Sequence, residues 1–308
     1  MTPTNIAILL NDLSNGSFKA LARAISIVEN EAEGYDTLLQ KLSFDKSQIP
    51  PIIGITGPPG AGKSTLVNGI VQQLSEANKR LAIVAVDPTS PFNWGAVLGD
   101  RIRWAAHYTN PNVYIRSVAT RGSLGGLSDK IIEITEVLKA APFDYILVET
   151  VGVGQSEVEI TGLADTTVVV LVPEAGDDIQ TMKAGLMEIA DIFVLNKADR
   201  PEAERMAQHL YLMLHERPQQ NEWSIPILKT VASKSEGIAA VVEQIQQHSQ
   251  MHLQNPKRPL LLTQKALQII QKQRTKDINR QTLQQAITQQ IQQQQAFNLY
   301  SFLAANYF

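Results

Sequence analysis

The chain has 308 residues, 44% of them hydrophobic, a formal charge of −3 and no cysteine. That length and apolar content suit one large α/β domain with an appendage or two modest domains, and the charge balance argues against nucleic acid or an anionic membrane as partner. Disulfides and thiolate metal sites are excluded, no secretory pattern opens the chain and no run reaches membrane-spanning length, so a soluble cytoplasmic protein is expected.

Residues 1–48 are expected to form an N-terminal helical module. Leu21, Ile25 and Val28 recur at helical spacing, and Tyr35, Leu38, Leu39 and Leu42 predict a second helix after Gly34. From 49 to 250 the pattern changes to short runs, PIIGIT, LAIVAVD, VYIRSV, FDYILVET, DTTVVVLV, DIFVLNK and IPILKT, alternating with amphipathic stretches. Such runs predict strands buried on both faces, and their alternation with helical stretches predicts an α/β fold with a mostly parallel sheet. Residues 251–308 form a third zone, which opens with NPKRP at 255–259, read as a linker, and leads into the glutamine-rich QTLQQAITQQIQQQQ. Leu283, Ile287 and Ile291 recur every four residues and glutamine is a good helix former, so a helical arm with a narrow apolar stripe is expected. The closing FNLYSFLAANYF is apolar and aromatic and must pack on its own domain or on a second subunit.

Within the middle zone, GPPGAGKST satisfies GxxxxGK[ST] between a predicted strand and a predicted helix. Gly57, Pro58, Pro59, Gly60, Ala61, Gly62, Lys63, Ser64 and Thr65 would wrap nucleotide phosphates with backbone N–H groups and a helix N-terminus. Lys63 would act as a catalytic group on the β- and γ-phosphates, and Ser64 would ligate Mg2+.

Asn196, Lys197 and Asp199 form NKxD at the end of a predicted buried strand, where ligands of open α/β sheets collect. A carboxylate at Asp199 can accept both the ring N–H and the exocyclic amine of guanine, which adenine lacks there, so GTP and GDP are the expected nucleotides. The Lys197 stem would cover the purine, and Ala232 and Ser233 are candidates to complete the base pocket.

DYILVETVGVGQSE resembles the strand and switch of GTPases, with Glu149 at the metal-binding acid and Gly152 where a backbone N–H can sense the γ-phosphate. Val153 stands where small GTPases position water with glutamine, so slow intrinsic turnover is expected. Gln155 either substitutes as a catalytic group or is an ordinary loop residue. Asp87 and Asp100, with Ser64 and Glu149, are the candidate Mg2+ ligands, as hard oxygens suit that ion. Arg103 and Arg121 are either solvated or placed to stabilise charge on the transferred phosphoryl group.

Taken together, GPPGAGKST, VDPTSPF with LGDRIR, RGSLGGLS, VETVGVGQSE, EAGDDIQTMKAGLMEIADIFVLNKADR and TVASKSEGI resemble the MeaB/ArgK family of GTPases, from about residue 21 to about residue 240. The resemblance implies a P-loop G-domain of the signal-recognition and MinD (SIMIBI) class, GTP hydrolysis, and homodimerisation through the C-terminal extension. It also implies chaperone work for an adenosylcobalamin-dependent acyl-CoA mutase, usually methylmalonyl-CoA mutase, gating its cofactor loading and protection. It assigns Ser64, Asp87, Asp100 and Glu149 to Mg2+ and Asn196, Lys197 and Asp199 to guanine, and makes 155–157 and 176–183 mobile loops. Glu174, Trp94 and the glutamine-rich C-terminus depart from the family pattern. The alternatives are a P-loop kinase or ATPase of the amino-acid transport kind, or a nickel-type metallochaperone GTPase. The second fits poorly, since His107, His209, His215, His248 and His252 form no metal-binding signature.

Overall fold

The structure, a computed structural model, describes residues 3–44, 49–87, 104–120, 127–152, 157–173, 188–215, 223–251, 255–293 and 296–307. Each predicted run is a strand: β1 (Ile52–Thr56), β2 (Leu81–Asp87), β3 (Val113–Ala119), β4 (Tyr145–Glu149), β5 (Thr166–Leu171), β6 (Ile192–Asn196) and β7 (Ile227–Thr230). They form one sheet in the order β3-β2-β4-β1-β5-β6-β7, and the described pairings are all parallel. In such a sheet every strand points its carboxyl end to the same rim, so the loops that follow β1, β2, β4, β6 and β7 are brought together. The register places Glu149 beside Ile55 on one side and Ala85 on the other, level with the strand ends that lead to Gly57 and Asp87.

Both faces of the sheet are covered, which is why its strands carry no polar alternation. On one face lie α4 (Lys63–Glu76) and α8 (Ile238–Gln250), whose Leu66, Val67, Ile70, Val241 and Ile245 pack with Ile53, Ile55, Val168, Val170 and Val194. On the other face α7 (Ala203–His215) packs Met206, Ala207 and Leu210 against Val169, Leu171, Phe193 and Leu195. There too lies α6 (Glu157–Leu163), so close to β1 that a Cβ on Gly54 would stand 2.6 Å from the Ile160 Cγ1. Each fully buried aliphatic chain contributes about 1.5–3 kcal/mol, and Leu66→Ala in this layer would cost about 2–5 kcal/mol.

The N-terminal helices are α1 (Pro3–Ser14), α2 (Phe18–Glu29) and α3 (Tyr35–Gln40). The Ser17 hydroxyl caps α2 by accepting from the Ala20 N–H, and Leu21, Ala24, Ile25 and Val28 form its buried face. The module is joined to α5 (Ile131–Lys139) and β3 by ionic contacts: Arg116 with Glu29, Lys130 with Glu31 at 2.5 Å, and the Tyr35 hydroxyl donating to Glu133 at 3.2 Å. Burial opposes the charge on Lys130, but its bond to Glu31 and the neighbouring Glu133 outweigh that and raise its pKa. Burial and Glu133 push the Tyr35 phenol up to about 12.

This first compact unit runs from Met1 to Arg258, and a second runs from Pro259 to Phe308. The helices of the second region are α9 (Arg258–Arg274), α10 (Arg280–Gln293) and α11 (Leu299–Asn306), and none of them has a buried residue. Leu260, Leu262, Leu267, Ile269 and Tyr300 are all exposed. Asn298 caps α11 by accepting from the Ser301 N–H at 3.0 Å. Among the described residues no helix is long and apolar enough to cross a membrane.

Candidate functional site

β1 ends at Thr56, and the chain turns through 57–62 into α4. Gly57 has a φ of 137°, and a Cβ there would collide with the Val170 carbonyl of β5, so no side chain fits. Pro58 and Ala61 are buried while Pro59, Gly60 and Thr65 are exposed. α4 has Gly62 as its N-cap and no acidic residue in its first turn. Its leading N–H groups and positive dipole end are therefore offered to an anion without a competing carboxylate.

Lys63, only 6% exposed, donates to the Gly57 carbonyl at 2.8 Å and the Pro58 carbonyl at 3.0 Å. Gly152, three residues past the end of β4, has a φ of 83°, and a Cβ on it would run into the Lys63 ammonium. The stretch after β4 therefore rests on the lysine of the phosphate loop. Beside it Ser64 Oγ donates to Glu149 Oε1 at 2.6 Å, and Asp87, 4% exposed, ends the neighbouring β2. The Thr56 and Thr150 hydroxyls, 2.9 Å apart, tie the last residue of β1 to the first residue beyond β4. A hydroxyl and two carboxylates are a hard-oxygen set that suits Mg2+, which takes one or two carboxylates and completes its shell with water and phosphate. Among the described residues no three His, Cys, Asp or Glu side chains gather into a metal cluster.

The residues expected on the base side lie on the same rim. Asn196 ends β6 and is buried; its Nδ2 donates to the Ala61 carbonyl at 2.9 Å, and its Oδ1 accepts from Thr230 Oγ1 and the Ala232 N–H, each at 3.1 Å. The carboxamide expected on guanine is thus engaged in fastening the phosphate loop to the turn after β7. Lys197 takes the left-handed conformation, φ 57°, and donates to the Gly60 carbonyl at 2.9 Å. Asp199 is exposed, 3.5 Å from Lys234 Nζ. Ala232 is buried and Ser233 exposed in the short 3-10 turn Ala232–Lys234. Thr230 and Lys234 were missed as site residues; their position flanking Ala232 and Ser233 in KTVASKSEG was the available signal.

Trp94, Asp100, Arg103, Arg121, Val153, Gln155, Glu174, the 176–183 stretch and His252 lie outside the described residues. Of the other histidines, His209 and His215 are exposed, whereas His107 is buried with Nε2 2.5 Å from Asn68 Oδ1. His248 lies at the opposite rim, 2.8 Å from Thr166 Oγ1 and 3.6 Å from Asp191. Burial depresses the pKa of both His107 and His248.

Residues 21–295 match the family model described as methylmalonyl-CoA mutase-associated GTPase MeaB. The chain is 47% identical over 243 residues to a Pyrococcus horikoshii protein with an inferred GTPase assignment, covering 78% of this chain and 76% of that one. It is 32% identical over 255 residues to the Caenorhabditis elegans methylmalonic aciduria type A homolog, covering 77% and 64% of the two chains. Among solved structures, one named LAO/AO transport system kinase superposes with a TM-score of 0.67 at 26% identity, covering 90% of this chain and 86% of that one. HypB from Helicobacter pylori, solved with nickel, shares the fold alone, with a TM-score of 0.50 at 16% identity, covering 68% and 92%.

Proposed function

Because the chain belongs to the MeaB family of methylmalonyl-CoA mutase-associated GTPases, we propose that it is a GTP-hydrolysing chaperone of an adenosylcobalamin-dependent acyl-CoA mutase. Methylmalonyl-CoA mutase is the first candidate client, and the chaperone's work is to gate and protect cofactor loading. The observation that carries the switch reading is the Lys63 ammonium, bonded to the Gly57 and Pro58 carbonyls beneath Gly152. A γ-phosphate would draw that ammonium away from the carbonyls, because an ammonium is attracted more strongly to a full negative charge than to the dipole of a neutral carbonyl. The Gly152 backbone then meets the phosphate, so that its position differs between GTP and GDP.

In this reading Asp199 reads guanine, Lys197 covers the purine, Ala232 and Ser233 border the base, and Asn196 holds the frame around it. Ser64, Asp87 and Glu149, with Asp100, hold Mg2+, which neutralises phosphate charge when bound. Gln155, Arg103 or Arg121, or a group from the client, completes the hydrolytic site that Val153 leaves without its usual glutamine. The exposed apolar side chains of α9 support a homodimer formed through the second unit, and the cytoplasm is the compartment proposed.

The test is GTP hydrolysis by the purified chain with and without candidate mutases, with Lys63→Ala as the blank. Stimulation by one mutase is expected; failure to bind GTP or GDP with Mg2+ would sink the reading. The structural likeness to a protein named as a transport kinase keeps a small-molecule kinase as the second reading. A preference for ATP over GTP, with phosphate transferred to an amine such as arginine, would establish it instead.

A further inference from the structure

The segment 255–258 reads as a linker, yet its side chains are bonded to the amino rim of the sheet. Asn255 Nδ2 donates to the Thr161 carbonyl and, at 2.7 Å, to the Ala164 carbonyl. Arg258 Nη2 donates to the Leu163 carbonyl at 3.0 Å and to Asp165 Oδ1 at 2.8 Å. Lys257 Nζ donates to the Glu188 carbonyl at 2.8 Å, and the turn is held by the Lys257 N–H donating to Asn255 Oδ1 at 2.9 Å. Thr161 and Leu163 belong to the last turn of α6 and Ala164 follows it, where carbonyls have no partner within the helix. Asp165 in turn accepts from the Ile52 N–H at 2.7 Å and so grips the first residue of β1.

Each element held in this way carries part of the nucleotide site at its other end. α6 begins five residues after Gly152, β1 runs directly into Gly57–Lys63, and Glu188 precedes β6, which ends in Asn196 and Lys197. Five strand residues span about 17 Å, so a displacement at one rim is delivered to the other by a rigid element rather than through a flexible chain. α6 has little freedom to move toward the sheet, because a Cβ on Gly54 would stand 2.6 Å from Ile160 and 3.0 Å from Ala164. A pull at its Gly152 end therefore slides or rotates it along β1, and close-packed contacts of this kind settle into discrete positions. Its terminal carbonyls are the ones that Asn255 and Arg258 hold. Arg258 is also the first residue of α9, with Pro259 following at a position where proline sets the start of a helix.

We propose that Asn255, Lys257 and Arg258 form a coupling joint: positioning residues that act on the nucleotide site through α6, β1 and β6 and hand its GTP or GDP state to the start of α9. The joint rests on the reading of the chain as a GTP/GDP switch and deepens it. Because coupling is reciprocal, anything that fixes the start of α9 alters the preference of the site for GTP over GDP.

The test is amide hydrogen exchange on the full chain loaded with Mg2+ and either GDP or a non-hydrolysable GTP analogue. Exchange in 157–165 and 255–262 is expected to differ between the two nucleotides by about fivefold or more, the lower end of ordinary coupling. In the double variant Asn255→Ala with Arg258→Ala the difference should persist at 157–165 and vanish at 255–262, and Arg258→Lys should restore part of it. A merely structural clamp would instead raise exchange equally in both nucleotide states. If 57–65 responds to the nucleotide while 255–262 does not, the joint is overturned and the switch reading stands. If neither nucleotide binds, the switch reading itself has failed and the joint with it.

Discussion

At the carboxyl rim of the sheet, the Lys63 ammonium is bonded to two backbone carbonyls, and Asn196 and Lys197 are bonded to two more. At the amino rim, charged groups hold dedicated partners: Asp165 takes the Ile52 N–H and Arg258, while Asp191 takes the Thr167 N–H and faces His248. Carbonyl partners are weak ones that a phosphate can outbid, whereas a carboxylate gripping both a strand N–H and a guanidinium has nothing to gain from a ligand. The contrast is between Lys63, which bonds two carbonyls that a phosphate could replace, and Asp165 and Asp191, which hold strand N–H groups together with a cation or an imidazole.

The largest effect expected from breaking this contrast is Lys63→Ala. Fluorescent GTP titration and turnover assays should show a loss on the order of 100-fold or more, and the thermal midpoint should fall as well, because the Gly57 and Pro58 carbonyls it frees are buried. Next is Gly152→Ala, which forces a side chain into a left-handed position against Lys63 at a strain of about 1–3 kcal/mol. GTP affinity should fall roughly tenfold relative to GDP; an unchanged ratio measured by calorimetry would detach Gly152 from γ-phosphate sensing. Asp199→Asn removes one charged acceptor for guanine and should reduce the preference for GTP over ATP by about 10- to 100-fold, read by competition binding.

The smallest effect is at the amino rim and depends on pH. Burial depresses His248 below its ordinary 6.5, so the folded chain favours the neutral ring and the unfolded chain binds the proton first. Stability should therefore fall as the pH drops through 6.5. Burial raises Asp191 above its ordinary 3.8, so that further acidification relieves the cost of its charge and partly offsets the loss. Urea midpoints across this range should show that shape in the wild type and a flatter onset in His248→Asn.

The seven strands and the phosphate loop were legible because each depends on a local run: β-branched residues bounded by turns, or glycines at fixed spacing before a helix. The NKxD residues were legible as a motif, but the contacts of Asn196 were not. Asn196 reaches Ala61, a residue far upstream, and one-dimensional spacing cannot report that its carboxamide is spent on two loops at once. NPKRP was read as a linker from its prolines, while its meaning lies in Asn255 and Arg258 satisfying the carbonyl end of α6, a helix some ninety residues earlier. Composition announces where a chain turns, and only the fold shows what the turn holds.

The strand order also governs when the protein can first work during its own synthesis. β1, with the phosphate loop attached, lies at the centre of the sheet, yet its two neighbours are residues 146–149 and 166–169. At about 5–20 residues per second, the emerging strand waits on the order of ten seconds for them. The loop is framed later still, when Asn196 and Ala232 leave the ribosome. The frame around the phosphate loop is therefore complete only once residues through Ala232 have left the ribosome.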